Sequence, residues 1–147
     1  MSESKINFKI VTSEKTVYED VIDQATFMTT DGQITILPNH RSYITSLESG
    51  EAMVKIKGEE VFLSISGGFI EFHNNTLIVL ADTAERAEEI DLARAEEARK
   101  RAEELKKEAI SMDDEDYARV AAAIQKESAR IRVAKKHYTK KGINIGQ

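Results

Sequence analysis

The sequence predicts a β-sandwich or flattened barrel followed by an antiparallel α-helical hairpin, and three observations carry that expectation. Apolar residues alternate with polar ones from Ile6 to about Asp82, the period of strands with one buried face. All five phenylalanines and five of the seven glycines precede residue 73. After Asp82 neither glycine nor proline occurs until Gly142, and Ala, Glu, Lys and Arg dominate, a composition that favours helix by propensity alone. The expected boundary gives a β unit over 1–86 and a helical hairpin over 87–147.

In the β unit, Ile6, Phe8 and Ile10 alternate with Asn7 and Lys9, Ile34 and Ile36 flank Thr35, and Val54 and Ile56 flank Lys55. Val61, Leu63 and Ile65 continue the pattern, and the runs Phe69–Phe72 and Thr76–Ala81 are equally strand-like. Asp31-Gly32, Lys57-Gly58, Gly67-Gly68 and Asn74-Asn75 sit where hairpins would reverse. Eight to ten short antiparallel strands with regular turns favour a sandwich or barrel over a parallel sheet. Gly67-Gly68 reads as a hairpin or bulge because it joins two strands.

In the helical unit Ala95, Ala98, Ala102, Leu105, Ala109 and Met112 recur at steps of three and four, a narrow heptad seam. Ser111–Asp114 interrupts it and offers capping side chains for a second helix. That helix repeats the seam with Tyr117, Val120, Ile124, Ile131, Ala134 and Tyr138, with Glu127 in one seam position. Residues 87–116 carry 12 acidic and 6 basic groups, net −6, whereas residues 117–147 carry 1 acidic and 8 basic groups, net +7. Side by side the two helices compensate each other, and opened out the second is a long cation. An alanine seam buries about 0.8 kcal/mol per methyl, and exposed ion pairs add about 0 to 1 kcal/mol each. A few kcal/mol is a gap that a ligand can tip, since saturation at about 100 times the dissociation constant contributes about 2.7 kcal/mol. The helical half is therefore expected to be a mobile element on a rigid β platform, and a permanently closed hairpin is the rival reading.

The 147 residues amount to one domain, or to one small domain with an appendage. The formal charge of −5 excludes nucleic-acid binding by bulk positive charge, and no aromatic residues interleave the basic run. Without cysteine there is no disulfide scaffold, thiolate metal site or cysteine nucleophile. The histidines His40, His73 and His137 are scattered, so no metal cluster is expected. The polar start Met1–Lys5 suggests neither a signal peptide nor a transit segment, and the longest apolar runs are too short to cross a bilayer.

No catalytic constellation or glycine-rich phosphate loop is present. Asp91 opens the first helix, where capping explains its carboxylate. Arg94 follows one turn later, Arg101 lies two turns beyond, and Arg130 could reach the same region if the helices fold back. Guanidinium forks from two helices are a sensible way to hold a polyphosphate, although any helix of this composition offers arginines.

Two stretches go beyond pattern: Gly32-Gln-Ile-Thr-Ile-Leu-Pro-Asn-His40 continuing to Ile44, Leu47 and Gly50, and Gly67-Gly-Phe-Ile-Glu71 continuing through Asn75 to Val79-Leu-Ala-Asp82 and Ala84-Glu85. Both resemble the signature segments of the epsilon subunit of the F-type rotary ATP synthase, bacterial type, and the likeness covers nearly the whole chain. The resemblance implies a non-catalytic subunit of the central stalk that turns with the rotor during proton-driven ATP synthesis. Its sandwich would dock on the gamma subunit and the c-ring, and its hairpin would fold down or extend into the catalytic head and hinder ATP hydrolysis. It implies a peripheral place on the cytoplasmic face of the bacterial membrane, with membrane association only through the complex.

By the same resemblance Ile90-Asp91-Leu-Ala-Arg94-Ala95 matches a motif through which several bacterial epsilon subunits bind ATP. Ile90, Asp91, Arg94 and Ala95 would contact nucleotide, with Arg94 near phosphate, and Arg101 and Arg130 are further candidates placed by geometry. No cofactor is required, and ATP would act as a regulatory ligand without being hydrolysed. Pro38, Asn39 and His40 would lie at the end facing gamma and the ring. Within the catalytic head of alpha and beta subunits, Arg119, Lys126, Arg130, Arg132, Lys135 and Lys136 would meet an acidic target on the beta subunits. The rival readings are a free-standing ATP-responsive binding module and a nucleic-acid adaptor using the basic helix.

Overall fold

The computed structural model describes residues 4–108 and 113–142. Among these residues ten strands form two five-stranded sheets. The strands are β1 (Ile6–Val11), β2 (Thr16–Ile22), β3 (Gln24–Thr29), β4 (Gly32–Ile36), β5 (Tyr43–Ser46), β6 (Gly50–Ile56), β7 (Glu59–Ser66), β8 (Phe69–His73), β9 (Thr76–Leu80) and β10 (Thr83–Arg86). One sheet has the order β2-β1-β9-β8-β5 and the other β10-β7-β6-β3-β4. A 3-10 turn at Ala87–Glu89 leads to helices α1 (Leu92–Lys107) and α2 (Asp114–Lys140).

The core lies between the sheets and takes the inward phase of each strand: Ile6, Phe8 and Ile10 from β1 face Phe27, Val54 and Leu63 from the opposing sheet. That alternation is what the period of two demands. Lys57-Gly58 and Asn74-Asn75 close hairpins, and both residues of each pair have positive φ, the backbone of a type I′ turn whose twist matches the strands it joins. At the sheet edge, Asp23 bonds Lys5 and accepts a hydrogen bond from the backbone N–H of Lys57 at 2.6 Å. The Lys5 hydrogen bond is the main reason that its carboxyl is held below the usual aspartate range.

Two expectations need correction. The strands are not all antiparallel, because β1 and β9 run parallel from Asn7↔Thr76 to Val11↔Leu80. β1 takes its antiparallel neighbour β2 on one side, and β9, reversed by its hairpin with β8, arrives on the other side in the same sense. The chain between them builds other strands of both sheets, so no crossover helix is needed. Gly67-Gly68 is neither a hairpin nor a bulge within a sheet, because β7 and β8 belong to different sheets. It is the corner where the chain changes layer, and the Gly68 carbonyl accepts from the Leu47 N–H at 2.9 Å.

Side-chain caps start both helices as expected from the residue types. Asp91 accepts from the Arg94 N–H and Asp113 from the Asp116 N–H, satisfying backbone donors that the first helical turn leaves free. α1 packs on α2, and α2 packs on β6, β7 and the 3-10 turn. This second covering explains why Leu63, Ser64 and Ile65 are buried in succession: alternate residues of β7 face the core or the helix. In α1 the buried residues are Ala95 and Ala102. Leu105 and Tyr117 were expected on the seam yet are about half exposed, with the Lys106 ammonium over the Tyr117 ring at 5.6 Å. Ser111, Ala109, Met112 and the tail beyond Gly142 lie outside the described residues.

Candidate functional site

The arm is held to the sandwich by an apolar centre with ion pairs around it. Ala87, Ile90, Val133 and Ala134 are buried together, and Phe62, Leu92 and Tyr138 pack against them. Small residues on α2 let the helix approach the sheet closely, while Phe62 projects from β7 to fill the space beneath.

Arg130 is the most firmly engaged cation. Its Nε and Nη2 donate to Glu85 of β10 at 2.6 and 3.0 Å, and its Nη1 donates to Glu127 one turn earlier at 2.8 Å. The guanidinium and the Glu127 side chain are only 17% and 14% exposed. Burial opposes the charge on Arg130, but its hydrogen bonds to the Glu85 and Glu127 carboxylates outweigh it and hold its pKa above the ordinary arginine value. Beyond it, Lys136 Nζ donates to Glu51 of β6 at 2.6 Å and stands 5.8 Å from the centre of the Phe62 ring. Lys140 Nζ donates to the Glu60 carbonyl at 2.9 Å, and Lys135 pairs with Glu96 of α1 at 3.6 Å.

The residues expected to bind nucleotide are divided among these tasks. Ile90 belongs to the apolar centre, and Ala95 is buried inside the hairpin. Asp91 caps α1 through the Arg94 N–H at 3.1 Å. The Arg94 side chain is exposed and forms no hydrogen bond or ion pair among the described residues. Arg101, also exposed, pairs with Glu97 at 3.2 Å, and Arg130 is held by Glu85 and Glu127. The short motif therefore forms one corner at the start of α1, with the Arg94 guanidinium unengaged among the described residues.

Of the cations expected to meet partners, Arg130, Lys135 and Lys136 are tied within the folded chain. Arg119 pairs with Glu115 in its own helix at 2.8 Å. Arg132 is exposed and Lys126 half-buried, and neither has a partner among the described residues. Pro38, Asn39 and His40 lie in the loop after β4.

Sequence reasoning missed the anionic half of this latch. Glu127 was visible as a break in the seam three residues before Arg130, a spacing that brings side chains together on a helix. Glu85 and Glu51 stand 45 and 85 residues from their partners, and no local signal reports such pairs. It also missed an apolar patch on the outer face of the β2-β1-β9-β8-β5 sheet: Ile44, Phe69, Ile78 and Leu80 are 36–66% exposed. Ile44, Glu71 and Ile78 stand abreast in β5, β8 and β9, as do Ser46, Phe69 and Leu80. The outward phase of β8 and β9 carried that signal, since a solvated face would alternate with polar residues.

Comparison with known proteins assigns the chain. Residues 5–87 match the family model for the ATP synthase delta/epsilon chain β-sandwich domain, and residues 88–135 match its long α-helix domain. The chain belongs to the ATP synthase delta/epsilon family. It is 41% identical over 138 residues to the ATP synthase epsilon chain of Dehalococcoides mccartyi, strain BAV1, covering 90% of this chain and 94% of that one. It is 43% identical over 136 residues to the Chloroflexus aggregans epsilon chain, with 92% and 96% covered. With the epsilon chain of Levilactobacillus brevis it shares 41% over 135 residues, with 91% and 97% covered.

Two solved structures share the fold of this family member. A chain of the Euglena gracilis mitochondrial ATP synthase superposes with a TM-score of 0.74 at 19% identity, covering 86% of this chain and 79% of that one. A chain of the Tetrahymena thermophila central stalk and c-ring assembly gives 0.57 at 17% identity, with 93% and 98% covered. The fold is thus a sandwich with a helical pair, and the chain is an epsilon-type subunit of the ATP synthase complex. No described helix is long and apolar enough to cross a membrane.

Proposed function

We propose that this chain is a central-stalk subunit of a proton-translocating ATP synthase, coupling rotation to ATP synthesis and restraining ATP hydrolysis through its hairpin. Alone it catalyses nothing. The sandwich docks on the gamma subunit, for which the exposed Ile44, Phe69, Ile78 and Leu80 provide an apolar face, and its β4–β5 end meets the c-ring. The complex thereby holds the chain peripherally at the cytoplasmic face of the membrane.

The observation that carries this reading is the pairing of the cations on α2 with carboxylates of the folded chain. Arg130, Lys135 and Lys136 are paired with Glu85, Glu127, Glu96 and Glu51, and in this reading the same side chains would meet acidic surfaces on the catalytic beta subunits when the arm extends. The folded and extended arms therefore compete for one set of charges. Outside the partly buried Arg130 cluster the Lys135–Glu96 pair is solvated, and such a pair contributes only about 0 to 1 kcal/mol, so a partner of modest affinity can win it. Removing residues 113–147 is expected to raise ATP hydrolysis by the reconstituted complex while assembly survives. Unchanged hydrolysis would leave the arm without a restraining role.

ATP acts as the sensor ligand at the start of α1. Arg94, unengaged beside the Asp91 cap, takes the phosphate end, and a nucleotide seated there favours the folded arm because Ile90 and Ala95 on either side are buried in it. Arg94→Ala is expected to abolish the rise in melting temperature produced by millimolar ATP, measured on the isolated chain by calorimetry. An undiminished rise would remove Arg94 from the site.

A further inference from the structure

The outer face of the β10-β7-β6-β3-β4 sheet holds a hollow beside α2. Strand alternation puts Glu51 and Met53 of β6 on that face together, with Phe62 of β7 opposite Met53 on one side and Thr26 of β3 on the other. α2 lies over β6 and β7. Next to it remains a cavity of about 320 Å³, walled by Met28, Met53 and Phe62, with Glu51, Glu60 and Lys136 also lining it. That volume falls within the range of about 300–1,000 Å³ usual for small-molecule sites.

The hollow already holds one cation, supplied by the chain itself. Lys136 Nζ donates to Glu51 Oε1 at 2.6 Å and stands 5.8 Å from the Phe62 ring centre, so a carboxylate and a ring face serve the same positive charge. The fit is incomplete. Glu51 Oε2 is buried and accepts no hydrogen bond among the described residues, although a carboxylate can accept two parallel bonds from one donor fork. An ammonium is a compact point charge and lacks that fork, whereas a planar guanidinium has it. The lysine is also replaceable, since its side chain is 48% exposed and its stem is flexible.

We propose that Glu51, Phe62, Met28 and Met53 form a cation socket for an alkylguanidinium, which Lys136 fills in its absence. The fork takes both Glu51 oxygens with its face on Phe62, and the unbranched, polarisable methionines line the carbon chain. Glu60 adds a second negative charge to the cavity. The socket lies on the sandwich and needs neither a partner subunit nor nucleotide. A guanidinium on a carbon chain can come from a free small molecule or from an arginine side chain of a peptide, and each is measured separately.

The test is calorimetric titration of the full chain with butylguanidinium at about 150 mM salt. Lys136→Ala empties the socket and is expected to tighten binding about tenfold over the unmodified chain. In that background Glu51→Gln, which keeps the size of the side chain, is expected to weaken binding about tenfold, and Phe62→Leu about fivefold. Butylammonium, which cannot make paired bonds, is expected to bind about fivefold more weakly than butylguanidinium. Glu14→Gln, in the exposed turn before β2, is expected to change nothing. Binding of butylguanidinium alone assigns the socket to a free small molecule, and equal binding of a capped tripeptide with a central arginine assigns it to a peptide side chain. Binding to Lys136→Ala no tighter than to the unmodified chain, or undiminished after Glu51→Gln, overturns the proposal. So does a loss with Glu14→Gln equal to that with Glu51→Gln, which would mean attraction to the overall negative charge.

Discussion

Val133→Asp is expected to release the arm from the sandwich while the sandwich stays folded. Val133 is fully buried and belongs to the small cluster of Ala87, Ile90 and Ala134 that holds α2 down, separate from the core between the sheets. An unpaired buried charge typically costs about 3–5 kcal/mol. The forces opposing it are few: a small apolar centre of Ala87, Ile90 and Ala134 with Phe62, Leu92 and Tyr138 against it, at about 0.8 kcal/mol per buried methyl or methylene, the partly exposed Lys136–Glu51 pair, and the Arg130 fork on Glu85. The substituted carboxylate therefore outweighs most of the latch, and the open arm becomes the major form. Fluorescence labels at the exposed positions 31 and 141 should move apart, with the sandwich still melting cooperatively. Val133→Thr, which keeps the shape and exchanges one methyl for a hydroxyl, should move the distance much less. Labels whose separation is unaltered in the Asp variant would show that the arm is held elsewhere.

The second large effect is expected at the corner between the sheets. A Cβ at Gly68 would lie 1.9 Å from the Leu80 carbonyl oxygen and 2.8 Å from the Ala81 Cα, at φ 94°. Backbone atoms cannot rotate away as a flexible side chain can, so Gly68→Ala must displace β9 or break the corner. The expected loss is more than about 4 kcal/mol of sandwich stability, or failure to fold. Gly58→Ala is the matched comparison: φ is 82° but nothing lies within 4 Å of the added atom, so only the left-handed strain of about 1–2 kcal/mol applies. Urea unfolding of both variants separates steric exclusion from backbone strain. Equal losses would mean that the corner has room after all.

Particular residues show how far local pattern reaches. Asp91 and Asp113 are caps because a carboxylate before a helical run meets free N–H groups whatever the rest of the protein does. Asn74-Asn75 is a hairpin turn because asparagine tolerates the left-handed backbone that a two-residue reversal needs. Gly67-Gly68 shows the limit: two glycines announce an unusual backbone, yet whether the strands they join share a sheet depends on partners far away in the chain. β1 illustrates the same point, since its parallel neighbour β9 begins about seventy residues after it. At the candidate site the short motif from Ile90 to Ala95 was legible as a unit. Its division into a buried isoleucine and alanine, a cap and a free arginine was not, because that division is made by α2 lying across it.

The chain's own order of residues determines the two architectures, the turn chemistry and the opposite charges of the two helices. Each of these follows from periodicity, backbone preference or composition within a short window, and the resemblance of its signature segments already pointed to the family. The tertiary structure alone decided which sheet each strand joined, that α2 rather than α1 lies on the sandwich, and which carboxylates hold Arg130 and Lys136. Those outcomes come from the packing of surfaces and the pairing of charges brought together across 45 to 85 residues, and local sequence holds no record of such distances.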